Sequence, residues 1–279
     1  MVSLRIIFAF VLCAVLGGGC TSEKPLVLLC TTSVENSGLL DYLLPKFSEK
    51  SGIRVVSIPR GTGQTLRAGK NGDGDVLLVP DREREDLFIE EGHGSLRVDL
   101  MYNNFVIVGP LGDPADLRKG KDASSAFQLI ANSHSIFISR GDDSGTHKRE
   151  LALWQKSGLD PSVASGDWYR EVGKGMGATL NAAVAMNAYT LTDRGTWISY
   201  RGKRDFKIQY QGGEELYNPY GVILVNSERH PTVKAVQGKA FVKWLISSEG
   251  QKAIGSYKIN GQQLFFPGAK YTSVGEYAP

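Results

Sequence analysis

The sequence predicts an α/β protein built as two lobes. Short apolar runs, Leu26–Leu29 first among them, read as strands buried on both faces, as in a parallel sheet. Stretches with helical spacing of apolar residues alternate with these runs. Two chain crossings, near 105–110 and 216–222, divide the alternation into lobe 1 (residues 20–108 and 217–279) and lobe 2 (109–216). A length of 279 residues suits about two domains. With 42% hydrophobic and 22% charged residues, the balance excludes a disordered or fibrous chain. A net charge of +3 lacks the basic surplus of a nucleic-acid binder. The 33 glycines cluster in short loops without a fixed period, which excludes a solenoid.

The first segment, residues 1–19, reads as a secretory signal. Arg5 supplies one positive charge, and Ile6–Leu16 is an apolar run of 11 residues. A helix needs about 20 residues to span a bilayer, so this run is too short. Gly17, Gly18 and Gly19 then lead into Cys20. Small residues before a cysteine resemble the bacterial lipoprotein processing site, which implies a lipid anchor on Cys20 as the only membrane attachment. Leu16 stands four places before the cysteine rather than the usual three, and plain secretion is the alternative. Cys13 leaves with the signal. Cys30 follows four apolar residues and reads as a small core residue, with a Cys20–Cys30 disulfide as the alternative if Cys20 is unmodified. The four histidines (93, 134, 147 and 230) are scattered, so no metal-ligand spacing exists.

The strand Leu26–Leu29 ends in the polar loop Thr31-Thr32-Ser33. Leu39, Leu40, Leu43, Leu44 and Phe47 then repeat at helical spacing, with Asn36 or Ser37 to cap the helix, Pro45 to bend it and Gly52 to end it. Ile53–Ile58 is a second strand, Gly61-Thr62-Gly63-Gln64 opens a short helix, and Asp75–Val79 is a third strand. Phe105–Val108 is a strand, and the polar stretch Gly109–Lys121 marks entry into lobe 2. There Ser135–Ser139 reads as a strand, Thr146–Lys156 as a helix, Gly173–Gly177 as a turn, Leu180–Met186 as a helix and Tyr189–Leu191 as a strand. Asn218-Pro219-Tyr220-Gly221 reads as a break before the strand Val222–Val225, and a last long helix is expected from about Pro231 to Ser247.

The segment Ser139–His147 (SRGDDSGTH) lies between a strand and a helix. A helix N-terminus offers unpaired N–H groups and positive dipole charge, so it suits an anion. Gly145 lets the backbone come close, Ser144 and Thr146 add hydroxyls, and Arg140 adds a planar fork of donors for an oxyanion. The loops Thr31-Thr32-Ser33 and Gly61-Thr62-Gly63-Gln64 also stand at the carboxyl ends of strands, where open parallel sheets bind ligands. A Ser or Thr before a helix is first of all an N-cap. Three such loops at equivalent positions, one with Arg140, point to a cage for a small tetrahedral anion.

The run SRGDDSGTHKRE (Ser139–Glu150) resembles the tungstate-binding component of ABC importers, the TupA type. So do TTSVENSGLLDYLL (Thr31–Leu44), GTGQTL (Gly61–Leu66), DVLLV (Asp75–Val79), MYNNFVIVGP (Met101–Pro110), GMGATL (Gly175–Leu180) and AYTLTDRGT (Ala188–Thr196). The resemblance runs in order over essentially the whole chain after the signal. It implies a type II periplasmic-binding fold, a monomer that acts by binding rather than catalysis, and partners in a separate ABC permease and its ATPase. It also implies tungstate, or molybdate, as ligand with no cofactor. The implied contacts are Thr31, Thr32, Ser33, Thr62 and Gly63 from lobe 1 and Arg140, Ser144, Gly145 and Thr146 from lobe 2. Asp142 is expected to buttress Arg140. Arg194 is a further candidate, with an ion pair or a helix-start contact as the alternative.

Two positions depart from the family: Pro80 stands where histidine is usual, and Arg60 where an apolar residue is usual. Phosphate-binding proteins, more distant relatives, place a carboxylate that accepts the proton of hydrogen phosphate. Pro80 occupies that position, with Asp81 one residue beyond, so an acceptor is expected to be missing. Molybdate or phosphate binding, a sensory receptor subunit and a hydrolase built on Ser144 and His147 remain as alternatives. The run is not Gly-x-Ser-x-Gly, and the chain has no Walker motif.

Overall fold

The computed structural model describes residues 24–269; the signal segment and Cys20 lie outside the described residues. The first lobe begins with β1 (Leu26–Thr31), α1 (Thr32–Asn36), α2 (Leu39–Ser51), β2 (Val55–Arg60), α3 (Thr62–Lys70), β3 (Val76–Val79) and α4 (Arg82–Glu90). The long strand β4 (Gly94–Pro110) leads into α5 (Ala123–Asn132), β5 (Phe137–Ser139), α6 (Gly145–Lys156), β6 (Tyr169–Glu171), α7 (Met176–Ala185), β7 (Thr190–Asp193), α8 (Arg194–Ser199) and β8 (Phe206–Gln211). The chain returns through β9 (Tyr217–Val225) and closes with α9 (Ala235–Ile246), α10 (Ser248–Ser256) and three two-residue strands, β10 (Lys258–Ile259), β11 (Gln262–Gln263) and β12 (Phe266–Pro267).

The first-lobe sheet has the order β12-β4-β9-β3-β1-β2, with β1 parallel to β2 and β3 and with β9 antiparallel to β3 and β4. Successive side chains of a strand point to opposite faces. Leu26, Leu28 and Cys30 therefore pack with Leu40, Leu43, Phe47 and Phe241 on one face, and Leu29 packs with Leu66, Leu77 and Phe88 on the other. Burying side chains of this size stabilises by about 1.5–3 kcal/mol each. Cys30 is a free, fully buried thiol, pushed up to about 12 by burial and then by Glu35.

The same logic repeats in the second lobe. Phe105 and Ile107 of β4 pack with α5 and α6, while Val106 and Val108 pack with α7 and Trp197. There β4 pairs antiparallel with β7 and β8. The outward crossing falls between Asn104, paired with Tyr217, and Phe105, paired with Asp193, ahead of the position near 108 expected from sequence. The return crossing lies between Leu216, buried in the second-lobe core, and Tyr217.

Two local expectations are corrected. The Asn218–Gly221 stretch is not a break but part of β9. Pro219 lies beyond the end of β3, which pairs only with Gly221–Leu224, so at Pro219 the strand has a partner on the β4 side alone and the missing N–H is tolerated. The expected helix Pro231–Ser247 starts at Ala235, and a second helix follows it, because Ser247 is extended and accepts a hydrogen bond from Gly250 N as the N-cap of α10. Pro45 sits inside α2 without ending it, and Gly52, at φ 72°, terminates the helix by donating to Ser48 O. Among the described residues no helix is long and apolar enough to cross a membrane, and no group of three or more His, Cys, Asp or Glu could hold a metal ion.

Candidate functional site

A small cavity lies between the lobes at the carboxyl ends of β1, β2, β3 and β5. From the first lobe it is lined by Thr31, Thr32, Ser33, Gly61, Thr62, Pro80 and Asn218, and from the second by Phe105, Arg140, Ser144, Gly145, Thr146 and Asp193. Each loop has its place because a buried strand ends there and a helix begins. The first turns of α1, α3 and α6 thus meet at one point, and their free N–H groups make the region electropositive. The lobes nearly touch: a Cβ on Gly145 would lie 3.4 Å from Pro80 O and 3.5 Å from Thr62 Oγ1.

Arg140 is buried, and its Nη2 donates to Asp142 Oδ2 at 2.6 Å. Its Nε is buried and has no hydrogen-bond partner among the described residues. A guanidinium cannot lose its proton to escape this, so the group requires an acceptor. Behind it, Ser139 Oγ accepts from Gly141 N and donates to the buried Glu150, which fixes the turn.

The N-cap reading holds for one of the hydroxyls. Ser144 Oγ accepts from His147 N at 3.1 Å. Thr31 makes no side-chain cap bond, and the N-cap of α3 is Gly61, which leaves the Thr62 hydroxyl outside any cap. Ser144→Ala is expected to lower the stability of the anion-free protein by about 1 kcal/mol through the lost cap, as read by urea unfolding. The His147 ring faces Asp142 O rather than the Ser144 hydroxyl, so these residues do not form a nucleophile–base pair.

Two of the expected contacts are placed elsewhere. Arg194 does not line the cavity: as the first residue of α8 it follows Asp193, whose carboxylate caps that helix, and its Nη2 reaches Gln211 Oε1 at 2.6 Å. Gly63 does not line it either; the Asp143 carboxylate lies over it, with Oδ2 only 1.9 Å from where a Cβ would stand. Arg60 is exposed at the end of β2. Pro80 lines the cavity and brings no side-chain hydrogen-bonding group.

Asp193 and Asn218 line the cavity without having been marked by the sequence. The end of β3 brings Pro80 and no carboxylate to the cavity; a carboxylate reaches it from β7 instead. Asp193 is fully buried and its carboxyl is pushed up, by burial first, against the hydrogen bonds from Thr196 and the nearby Arg140. Its oxygens accept from Thr196 N at 2.9 Å, Thr196 Oγ1 at 2.5 Å and Asn103 Nδ2 at 3.3 Å. The chain of contacts continues across both crossing strands. Asn218 Nδ2 donates to Asn103 Oδ1 at 2.6 Å, and Tyr220 OH lies 3.3 Å from both Asn218 Nδ2 and Ser33 Oγ. Ser33 Oγ in turn meets Thr31 Oγ1 at 3.1 Å. Buried polar groups linked in this way hold one another's orientation.

The chain matches the PBP superfamily domain over residues 19–249. It is 46% identical over 270 residues to the putative ABC transporter anion-binding protein of Haloferax volcanii, covering 94% of this chain and 78% of that protein. It is 43% identical over 252 residues to the tungstate-binding protein TupA of Peptoclostridium acidaminophilum, covering 89% of this chain and 87% of that protein. Among solved structures, TupA from Desulfovibrio alaskensis superposes with a TM-score of 0.78 at 42% identity, covering 88% of this chain and all of that one. By matches of this length and identity, carried on the same interlobe frame, the chain belongs to the PBP superfamily and, within it, to the family of the tungstate-binding protein TupA.

Proposed function

We propose that this protein binds tungstate, as a tetrahedral oxyanion, in the cavity between its lobes and delivers it to a membrane permease driven by a separate ATPase. The observation that carries this reading is the buried Arg140, whose Nε has no partner among the described residues and which lines a cavity with hydroxyls from both lobes. The relatives named above support the choice of anion and of a transporter. A nanomolar site requires about 12 kcal/mol. Hydrogen bonds to a charged group contribute roughly 1.5–3 kcal/mol each, so an arginine and half a dozen donors suffice. The protein acts by binding alone, as a monomer exported by residues 1–19 and anchored by lipid on Cys20.

Asp193 favours one second reading. A cavity carboxylate is what receives the proton of hydrogen phosphate, whereas it repels a proton-free dianion. Here three donors already occupy its oxygens, which favours tungstate or molybdate. Calorimetric titration of the anion-stripped protein with tungstate, molybdate, phosphate and sulfate tests this. Nanomolar tungstate with much weaker molybdate is expected. Equal affinities would make it a general oxometalate receptor, and binding of phosphate alone would overturn the assignment.

A further inference from the structure

Two residues of the glycine–hydroxyl motifs remain unexplained by the cavity, Gly63 and Asp143. They face each other across the cleft. Asp143 belongs to the second-lobe loop before α6, and its carboxylate lies against the first turn of α3 in the first lobe, over Gly63. Oδ2 stands 3.4 Å from Arg67 Nη1, on α3, and Oδ1 stands 3.4 Å from Arg84 Nη1, on α4. Arg84 is itself held by Asp81, through Nε to Oδ2 at 2.5 Å. On its own lobe the Asp143 carboxylate has Lys148 at 3.8 Å.

We propose that Asp143 and Gly63 form a closure latch that sets how slowly the bound anion is released. The inference rests on the capture function proposed above. All first-lobe contacts of Asp143 require the two lobes to be together, whereas Lys148 moves with Asp143 and can hold it when they part. The latch therefore favours the closed form without tying up the open one. Gly63 is helical, and only the absence of a side chain admits the carboxylate. A methyl group there meets Oδ2 when the lobes close, and within its own lobe it would stand 3.2 Å from the mobile end of Arg84, at Nη1. The latch sits outside the cavity lining, so it acts on the closed state's lifetime rather than on the anion's own hydrogen bonds.

The test is a double-mutant cycle read by release of radiolabelled tungstate into an excess of unlabelled protein. Asp143→Ala is expected to speed release about 5–10-fold, the range of a partly exposed charge cluster. Gly63→Ala is expected to speed it by a similar factor of about 5–10, because the half-exposed Asp143 side chain turns aside and gives up its first-lobe partners. With both substitutions release should stay near that of Asp143→Ala alone, because each single change removes the same contacts. The association rate should change little. The anion-free Gly63→Ala protein should melt no lower than wild type, because alanine is the better helix former; a general packing defect would lower it. Wild-type release rates in all three variants, or effects that multiply in the double variant, overturn the latch. If tungstate is not held by the wild type but phosphate is, the same cycle is run with labelled phosphate. Failure to hold any of the four anions removes both readings.

Discussion

Arg140→Ala is expected to weaken tungstate binding at least about a thousandfold while leaving the protein folded. A neutral donor at the site would forfeit one ordinary hydrogen bond, but Arg140 supplies several charge-assisted ones at roughly 1.5–3 kcal/mol each. Its loss also leaves two carboxylates near the anion without a cation, Asp142 on the same loop and Asp193 in the cavity wall. Asp193 makes the effect larger than a surface arginine would show, because it is fully buried and Arg140 is the cation that offsets its charge. The fold should survive because the loop stays held through Ser139, whose Oγ accepts from Gly141 N. Arg140→Lys keeps the charge and loses the planar fork, so an intermediate affinity is expected. Calorimetry with a parallel thermal melt checks both statements. Unchanged affinity in a folded Arg140→Ala protein would remove this residue, and the cavity assignment with it.

The second large effect is expected at Glu150, which never touches the cavity. Its carboxyl is buried beneath the loop that carries Arg140 and is pushed up to about 8, by burial above all. Ser139 Oγ lies 2.8 Å from Oε2, while Tyr169 OH and Trp154 Nε1 donate to Oε1 at 2.9 and 3.2 Å. The neutral acid still accepts from Tyr169 and Trp154 at Oε1, while at Oε2 the direction reverses and the acid's own proton goes to Ser139 Oγ. Below the ordinary carboxyl range both folded and unfolded chains hold the proton, and this group makes no difference to stability. Between about 4.5 and 8 the unfolded chain ionises first, so the wild type loses stability as the pH rises through that window. Glu150→Gln mimics the neutral acid and has no proton to lose. Its stability relative to wild type should therefore rise with pH across the same interval, as urea unfolding at several pH values would reveal. Glu150→Ala, by contrast, leaves Ser139, Trp154 and Tyr169 without their partner and opens a void, a loss of about 3 kcal/mol or more. A flat difference between wild type and Glu150→Gln would mean that the carboxyl is charged in the folded protein.

The legibility of this protein follows the reach of each interaction. Leu26–Leu29 and Asp75–Val79 could be read as doubly buried strands because their apolar character is continuous. The Thr31, Gly61 and Ser144 loops could be read as meeting at one cavity because strand, loop and helix start are consecutive residues. The first part of β4, Gly94–Asn104, was missed because its polar and apolar residues mix and its pairing partner, β9, lies more than a hundred residues away. Asp193 and Asn218 were missed for the same reason. Neither stands in a motif with the glycine loops, and each reaches the cavity only because its strand pairs with β4 at the crossing. Arg194 had the right chemistry, but the helix that begins beside it turns it outward to Gln211.

By itself the sequence determined the alternation of strands and helices, the two lobes and the three donor loops with Arg140. Those features rest on periodicity and on residues adjacent in the chain. Only the tertiary structure decided that a buried carboxylate shares the anion's cavity and that Asp143 reaches over Gly63 to the other lobe. Such contacts join residues from separate strands and lobes, and their energies depend on distances that no spacing in the sequence encodes.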